Sequence, residues 1–82
     1  MLSEETTSEQ VASVARLSAR EREVLELASY GLTNLQIAQR IHLSVHAVKF
    51  HLSSIFGKLG VSNRTEAAVL HLRSRQDDHT VS

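Results

Sequence analysis

Cysteine and proline are absent from this 82-residue chain, and each absence narrows what it can be. Without cysteine there is neither a disulfide frame nor a thiolate metal site, and a reducing compartment is permitted. Without proline, no helix interior meets a missing amide or a clashing ring. Aromatic residues are scarce, only Tyr30, Phe50 and Phe56. The apolar runs are a few residues long, too short to cross a membrane, and the N-terminus lacks the basic and apolar regions of a signal peptide, so an intracellular, cytoplasmic chain is expected. Eighty-two residues allow one small domain with little room for a large substrate cleft. With 41% hydrophobic and 22% charged residues, the composition is that of a folded chain rather than a disordered one.

Net charge is also lacking, but the zero conceals an uneven distribution. Residues 1 to 33 hold six glutamates against three arginines, a sum of minus three. Residues 34 to 75 hold Arg40, Lys49, Lys58, Arg64, Arg73 and Arg75 against Glu66 alone, a sum of plus five, with four histidines able to add charge near neutral pH. Asp77 and Asp78 then return minus two. A basic stretch beside an acidic one fits a polyanionic partner, although ordinary surface charge would give the same count.

The most informative stretch is LSVHAVKFHLSSIFGKL, Leu43 to Leu59. Ser44 can cap a helix by accepting from an unpaired amide, which predicts a helix from Val45 to Leu59. Val48, Leu52, Ile55 and Leu59 then fall on one stripe and should be buried. The opposite side carries His46, Lys49, Phe50, Ser53 and Gly57, with no acidic residue between Glu26 and Glu66. Such a face suits an anionic, grooved surface.

The flanking segments read as further helices. Ser18 and Glu21 form a capping box that opens a helix over 19 to 30, with Val24, Leu25, Leu27 and Ala28 inward, Glu21 mostly toward solvent, and Gly31 as its left-handed stop. Thr33 and Gln36 form a second box for a helix ending near Ile41, with Leu35, Ile37, Ala38 and Ile41 mostly inward. Only His42 and Leu43 separate it from Ser44, which is helix-turn-helix spacing. Gly60 closes the third helix, and Ser62 or Asn63 opens a last one ending near Arg75. On that helix Ala68, Val69 and Leu72 are expected to close the core, leaving Ala67, Leu70, His71 and Ser74 as a side for a second copy or, equally, as a plain outer side with one exposed leucine. Residues 1–16 are expected to be an arm or linker, with a short apolar rhythm at Val11, Val14 and Ala15 that would let a frayed helix lie against the domain, and residues 76–82 a disordered tail.

The run LSAREREVLELASYGLTNLQIAQRIHLSVHAVKFHLSSIFGKLGVSNRTEAAVL, residues 17 to 70, resembles the four-helix DNA-binding domain of LuxR, NarL and GerE type bacterial transcription regulators. The match includes Leu17, Arg20, Glu21, Val24, Leu25, Gly31, Asn34, Ile37, Ala38, Ser44, Val48, Lys49, His51, Gly60, Val61, Arg64, Thr65 and Ala67. The resemblance implies an all-α helix-turn-helix domain at residues 17–75, with the third helix in the major groove, the second gripping phosphates and the fourth pairing two domains. A homodimer on double-stranded DNA in the bacterial nucleoid, with RNA polymerase as a further partner, follows from the same resemblance. The pattern departs at Val45, His46 and Ala47, where the family commonly has Glu, Lys and Thr, and at Ser53 and Gly57, where a basic residue is frequent.

The residues themselves point the same way. The major groove admits one α-helix, whose exposed side chains reach base edges while flanking groups hold phosphates. Lys49 is the leading candidate for guanine O6 or N7, with a phosphate as the alternative. Phe50 is set to touch a thymine methyl or else to join the core. Ser53, one turn on, can donate to a base or a phosphate. His46 and His51 are phosphate contacts or simply solvated, Val45 and Arg64 complete the DNA-facing set, and the helix starts at Ser44 and Asn34 offer backbone amides to phosphate.

Other functions find less support. No glycine-rich phosphate loop or nucleophile setting supports an enzyme, no cofactor is implied, and the histidines do not combine into a metal site. A sigma-factor promoter module would share the first three helices, but KLGVSNRTEAA supplies a fourth. A protein-interaction module that has lost DNA binding fits the altered Val45, His46 and Ala47, but not Lys49, His51 and Arg64 together.

Overall fold

The computed structural model describes residues 8–81, and the regular elements among them are all helices: α1 (Ser8–Val14), α2 (Ala19–Ser29), α3 (Asn34–Ile41), α4 (Val45–Leu59) and α5 (Arg64–Val81). Residues 1–7 of the expected arm and Ser82 of the expected tail lie outside the described residues, as do the side chains of Ser8, Glu9, Val11 and residues 76–81.

Local chemistry sets the ends of the central helices. The Glu21 amide donates to Ser18 Oγ at 3.1 Å while the Ser18 amide donates to Glu21 Oε1 at 2.9 Å, a closed capping box. Thr33 and Gln36 repeat it at 3.1 and 2.8 Å. Ser44 Oγ accepts from the Ala47 amide at 3.0 Å to open α4. At the other end Gly60 takes φ 70° and ψ 34°, which only glycine adopts without cost, and the Val61 amide returns to the Phe56 carbonyl at 3.1 Å. Asn63 caps α5 by accepting from the Glu66 amide at 2.9 Å. His42, the hinge residue between α3 and α4, is itself left-handed at φ 61°, which lets Leu43 turn straight into the Ser44 cap.

The core forms where the helix stripes meet. Val24 and Leu25 of α2, Ile37 of α3, Val48, Ile55 and Leu59 of α4 and Leu70 of α5 are fully buried, with Leu27, Ala28, Ala38, Ile41, Leu52 and Ala67 around them. α2 packs on α4 and α5, and α3 on α4. The predicted α4 stripe is thus the inner face of that helix. Gly57 lies on its outer side, where an added Cβ would meet nothing within 4 Å. Gly57→Ala should therefore stabilise the fold by about 0.5–1 kcal/mol through helix propensity alone, measurable as a shift of the urea midpoint. A loss of stability would show that the space is occupied.

The expected four-helix domain is formed by α2–α5, and residues 8–14 of the arm form the short helix α1, which packs on α5 and α4 and buries Val14 beside Leu17. Three expectations need correction. α5 is in the opposite rotational phase: Ala67, Leu70 and His71 are inside and Ser74 is half-buried, whereas Val69 and Leu72 are exposed. α5 packs against both α2 and α1, and its inward side is the one with Ala67, Leu70 and His71. α5 also runs past Arg75 to Val81, with no glycine or proline in that stretch to stop it. Finally, Glu21 is buried and Leu35 is exposed, the reverse of their expected settings.

Candidate nucleic-acid interface

The outward face of α4 opens at Ser44, whose hydroxyl accepts from the Ala47 amide, while the Val45 and His46 amides, at the start of the helix, have no carbonyl a turn earlier in it to bond. His46, Lys49, Phe50 and Ser53 follow and are all exposed. Phe50 is 70% exposed, so it is not a core residue. Its ring meets His51 edge-on, with centroids 6.0 Å apart at 67°, which limits the freedom of both rings. His51 is half-buried by comparison, and Val45 is partly buried against the core, so only its edge is offered outward.

A second part of the site lies where α3 and α5 begin. Lys49 and Ser53 share an open cleft of about 470 Å³ with Asn34, Phe56, Ser62 and Arg64. Asn34 is the first residue of α3, just inside the Thr33 cap. The Arg64 guanidinium is not directed outward: Nη1 donates to the Leu32 carbonyl and Nη2 to Asn34 Oδ1. The cleft therefore unites Asn34, Lys49, Ser53 and Arg64, and it does so through a contact across 30 residues of sequence.

The electrostatics of this surface depend on which cations are already engaged. Lys58 Nζ donates to Glu21 Oε1 at 2.9 Å, and Arg75 lies 3.8 Å from Glu26. None of the ion pairs among the described residues involves Lys49 or Arg40. The α3–α4 surface thus keeps its positive charge for an outside partner, while Lys58 and Arg75 are tied to glutamates of α2. Glu21 is the hub on the inner side. It also accepts from Ser54 Oγ at 2.8 Å, and the Lys58 ammonium, the Ser18 amide and Ser54 together hold its carboxyl down at about 2.

Three residues not assigned to a site from the sequence share the exposed side of α3. Gln36, Gln39 and Arg40 line an open cleft with Leu32 on the outer side of α3. Their spacing of three and four residues, polar throughout, is a signal that was legible. The residues assigned to pairing do not form a surface: Ala67, Leu70 and His71 face the interior. His71 is buried with neither ring nitrogen hydrogen-bonded, and burial lowers its pKa. Among the described residues no group of three or more His, Cys, Asp or Glu is placed to hold a metal ion, and no helix is long and apolar enough to cross a membrane.

With this geometry in hand, comparison with known proteins gives a consistent result. The family model described as "Bacterial regulatory proteins, luxR family" matches residues 15–71. The chain is 49% identical over 63 residues to the probable transcriptional regulatory protein SgaR of Hyphomicrobium methylovorum, covering 77% of this chain and 30% of that protein. It is 49% identical over 53 residues to the DNA-binding transcriptional activator DevR/DosR of Mycobacterium tuberculosis, covering 65% of this chain and 24% of that protein. It is 44% identical over 57 residues to the transcriptional regulatory protein LnrK of Bacillus subtilis, covering 70% and 26% respectively. The chain thus spans less than a third of the length of these relatives.

Proposed function

Because the chain belongs to the luxR family of bacterial regulatory proteins, we propose that it is the DNA-reading unit of a transcription regulator, laying α4 in the major groove of duplex DNA. The observation that carries this reading is the division of α4 into two faces. Val48, Leu52, Ile55 and Leu59 are buried, while Lys49, Phe50, Ser53 and His46 stand outward with no acidic residue among them. A rigid helix with one face fixed in a core can present the other at a constant angle to base edges.

Roles follow from placement. Lys49 reads guanine O6 or N7, Phe50 packs on a thymine methyl, and Ser53 donates to a base or phosphate from the same face. His46, His51 and the amides after Ser44 hold one phosphate strand, and Asn34 with the α3 N-terminus holds another, with the edge of Val45 filling between them. The DNA-binding unit occupies residues 17–75, braced by α1. Pairing of two copies on DNA uses the outward strip of α5 around Val69 and Leu72, because Ala67, Leu70 and His71 lie in the interior. A regulator working this way acts in the cytoplasm on the nucleoid, beside RNA polymerase.

Lys49→Ala tests the reading most directly. If Lys49 contacts a base, specific affinity should fall by about 1–3 kcal/mol, with relaxed preference at one base pair. If it contacts phosphate, affinity should fall for all sequences, and the slope of log K against log salt should become shallower by about 0.9. Sites selected from a random duplex pool, followed by salt titration of wild type and variant, separate these outcomes. Failure of the wild-type protein to retain any duplex at low salt would instead favour a protein-interaction module.

A further inference from the structure

We infer that Arg64 is a positioning residue for DNA binding: its guanidinium orients the side-chain amide of Asn34 toward the DNA backbone and does not itself touch DNA. The inference rests on the DNA-binding reading above. Arginine only donates hydrogen bonds, so both groups facing its fork must accept. One is the Leu32 carbonyl, in the loop between α2 and α3, and the other is Asn34 Oδ1.

That requirement fixes which way round the Asn34 amide sits. With its oxygen committed to Arg64, its two N–H bonds are turned away from the guanidinium, at the first position of α3 and in the same cleft as Lys49 and Ser53. The amide and the free backbone N–H groups of the α3 N-terminus then form one donor cluster suited to a phosphate oxygen. The other Arg64 bond holds the residue just before the Thr33 cap, so the direction of the α3 terminus and the orientation of the amide are set by one side chain. Arg64 is the first residue of α5, so the same contact joins the last helix to the helix-turn-helix pair.

A planar fork is needed to engage both oxygens, and lysine, a single point of charge, cannot reproduce it. Arg64→Lys and Arg64→Gln should therefore weaken duplex binding to a similar extent, roughly 3- to 10-fold, the worth of one net hydrogen bond, with the salt slope of the wild type retained. On an Asn34→Ala background each substitution should cause a clearly smaller loss than in the wild type, because only the hold on the Leu32 carbonyl remains to be lost. In the free protein, the Asn34 side-chain NH2 signals in a nitrogen-15 NMR spectrum should be well dispersed in the wild type and move toward unstructured positions in both Arg64 variants. The inference is overturned if Arg64→Gln flattens the salt slope by about 0.9 while Arg64→Lys preserves it, because that is the signature of direct phosphate contact. It is equally overturned if the Arg64 and Asn34 losses multiply, or if the Asn34 signals do not move. Thermal unfolding of each variant identifies any that fail to fold, and Arg64→Lys is the milder of the two. If wild-type protein retains no duplex, the DNA-binding reading fails while the NMR experiment still reports on the clamp.

Discussion

Leu70→Ala is expected to lower the unfolding free energy by about 2–5 kcal/mol, while Leu72→Ala, two positions along the same helix, should change it by about 0.5 kcal/mol or less. The two leucines differ only in the direction they face: Leu70 is 1% exposed and Leu72 54%. Removing three carbons from Leu70 leaves a cavity between α5 and its neighbours, and the packed interior recovers only part of the lost contact. In a domain of this size each kcal/mol shifts the melting midpoint by about 4–8 °C, so Leu70→Ala should melt roughly 10 °C or more below the wild type. Circular dichroism during heating, or urea unfolding, reads both variants. A large loss for Leu72→Ala with a small one for Leu70→Ala would reverse the phase of α5. The same pair separates folding from pairing, since a change at Leu72 that leaves stability intact yet weakens two-site DNA binding locates the contact between copies on the outer strip.

This phase is the clearest case of what could not be read from the amino-acid order. Ala67, Leu70 and His71 on one side, and Ala68, Val69 and Leu72 on the other, point about 150° apart around the helix, and both sides contain a leucine. Periodicity identifies the helix but cannot choose between two apolar sides; the choice depends on packing against α2 and α1, which are distant in sequence. Glu21 shows the same division between local and distant information. Its capping box with Ser18 spans three residues and was legible, while its burial depends on Ser54 and Lys58, which lie 33 and 37 residues away. Asn34 and Arg64 were each singled out from the sequence, but their engagement with one another, across 30 residues, was not legible there. By contrast, the α4 stripe, the Ser44 cap and the Gly60 stop are all specified by residues within a few turns, and the exposed face of α4 follows from them directly.

Acid should destabilise the protein in two stages, each traceable to one buried side chain. His71 is neutral in the folded protein because burial disfavours its charged form; Glu26 opposes this, while Arg75 and Arg22 reinforce it. Its pKa lies below its ordinary 6.5, so the unfolded chain takes up the proton first. The contribution of neutral His71 is fully present above that value and is lost as pH falls below it. Glu21 acts at lower pH. Its carboxyl, held at about 2 against an ordinary 4.5 by Lys58, Ser18 and Ser54, stabilises the fold above pH 4.5 and ceases to do so as pH falls toward 2. A shift of that size corresponds to at most about 3 kcal/mol; because Lys58 is 49% exposed, solvent screening reduces the expected loss to about 1–2 kcal/mol. His71→Leu removes the first stage and, by eliminating two unpaired nitrogens, should match or exceed wild-type stability at pH 5.5. Glu21→Gln should lower stability at pH 7 and flatten its decline below pH 4.5. Urea unfolding at pH 7.5, 5.5, 4 and 3 distinguishes the two stages. If His71→Leu loses as much stability as the wild type between pH 7.5 and 5.5, His71 is not the group that titrates.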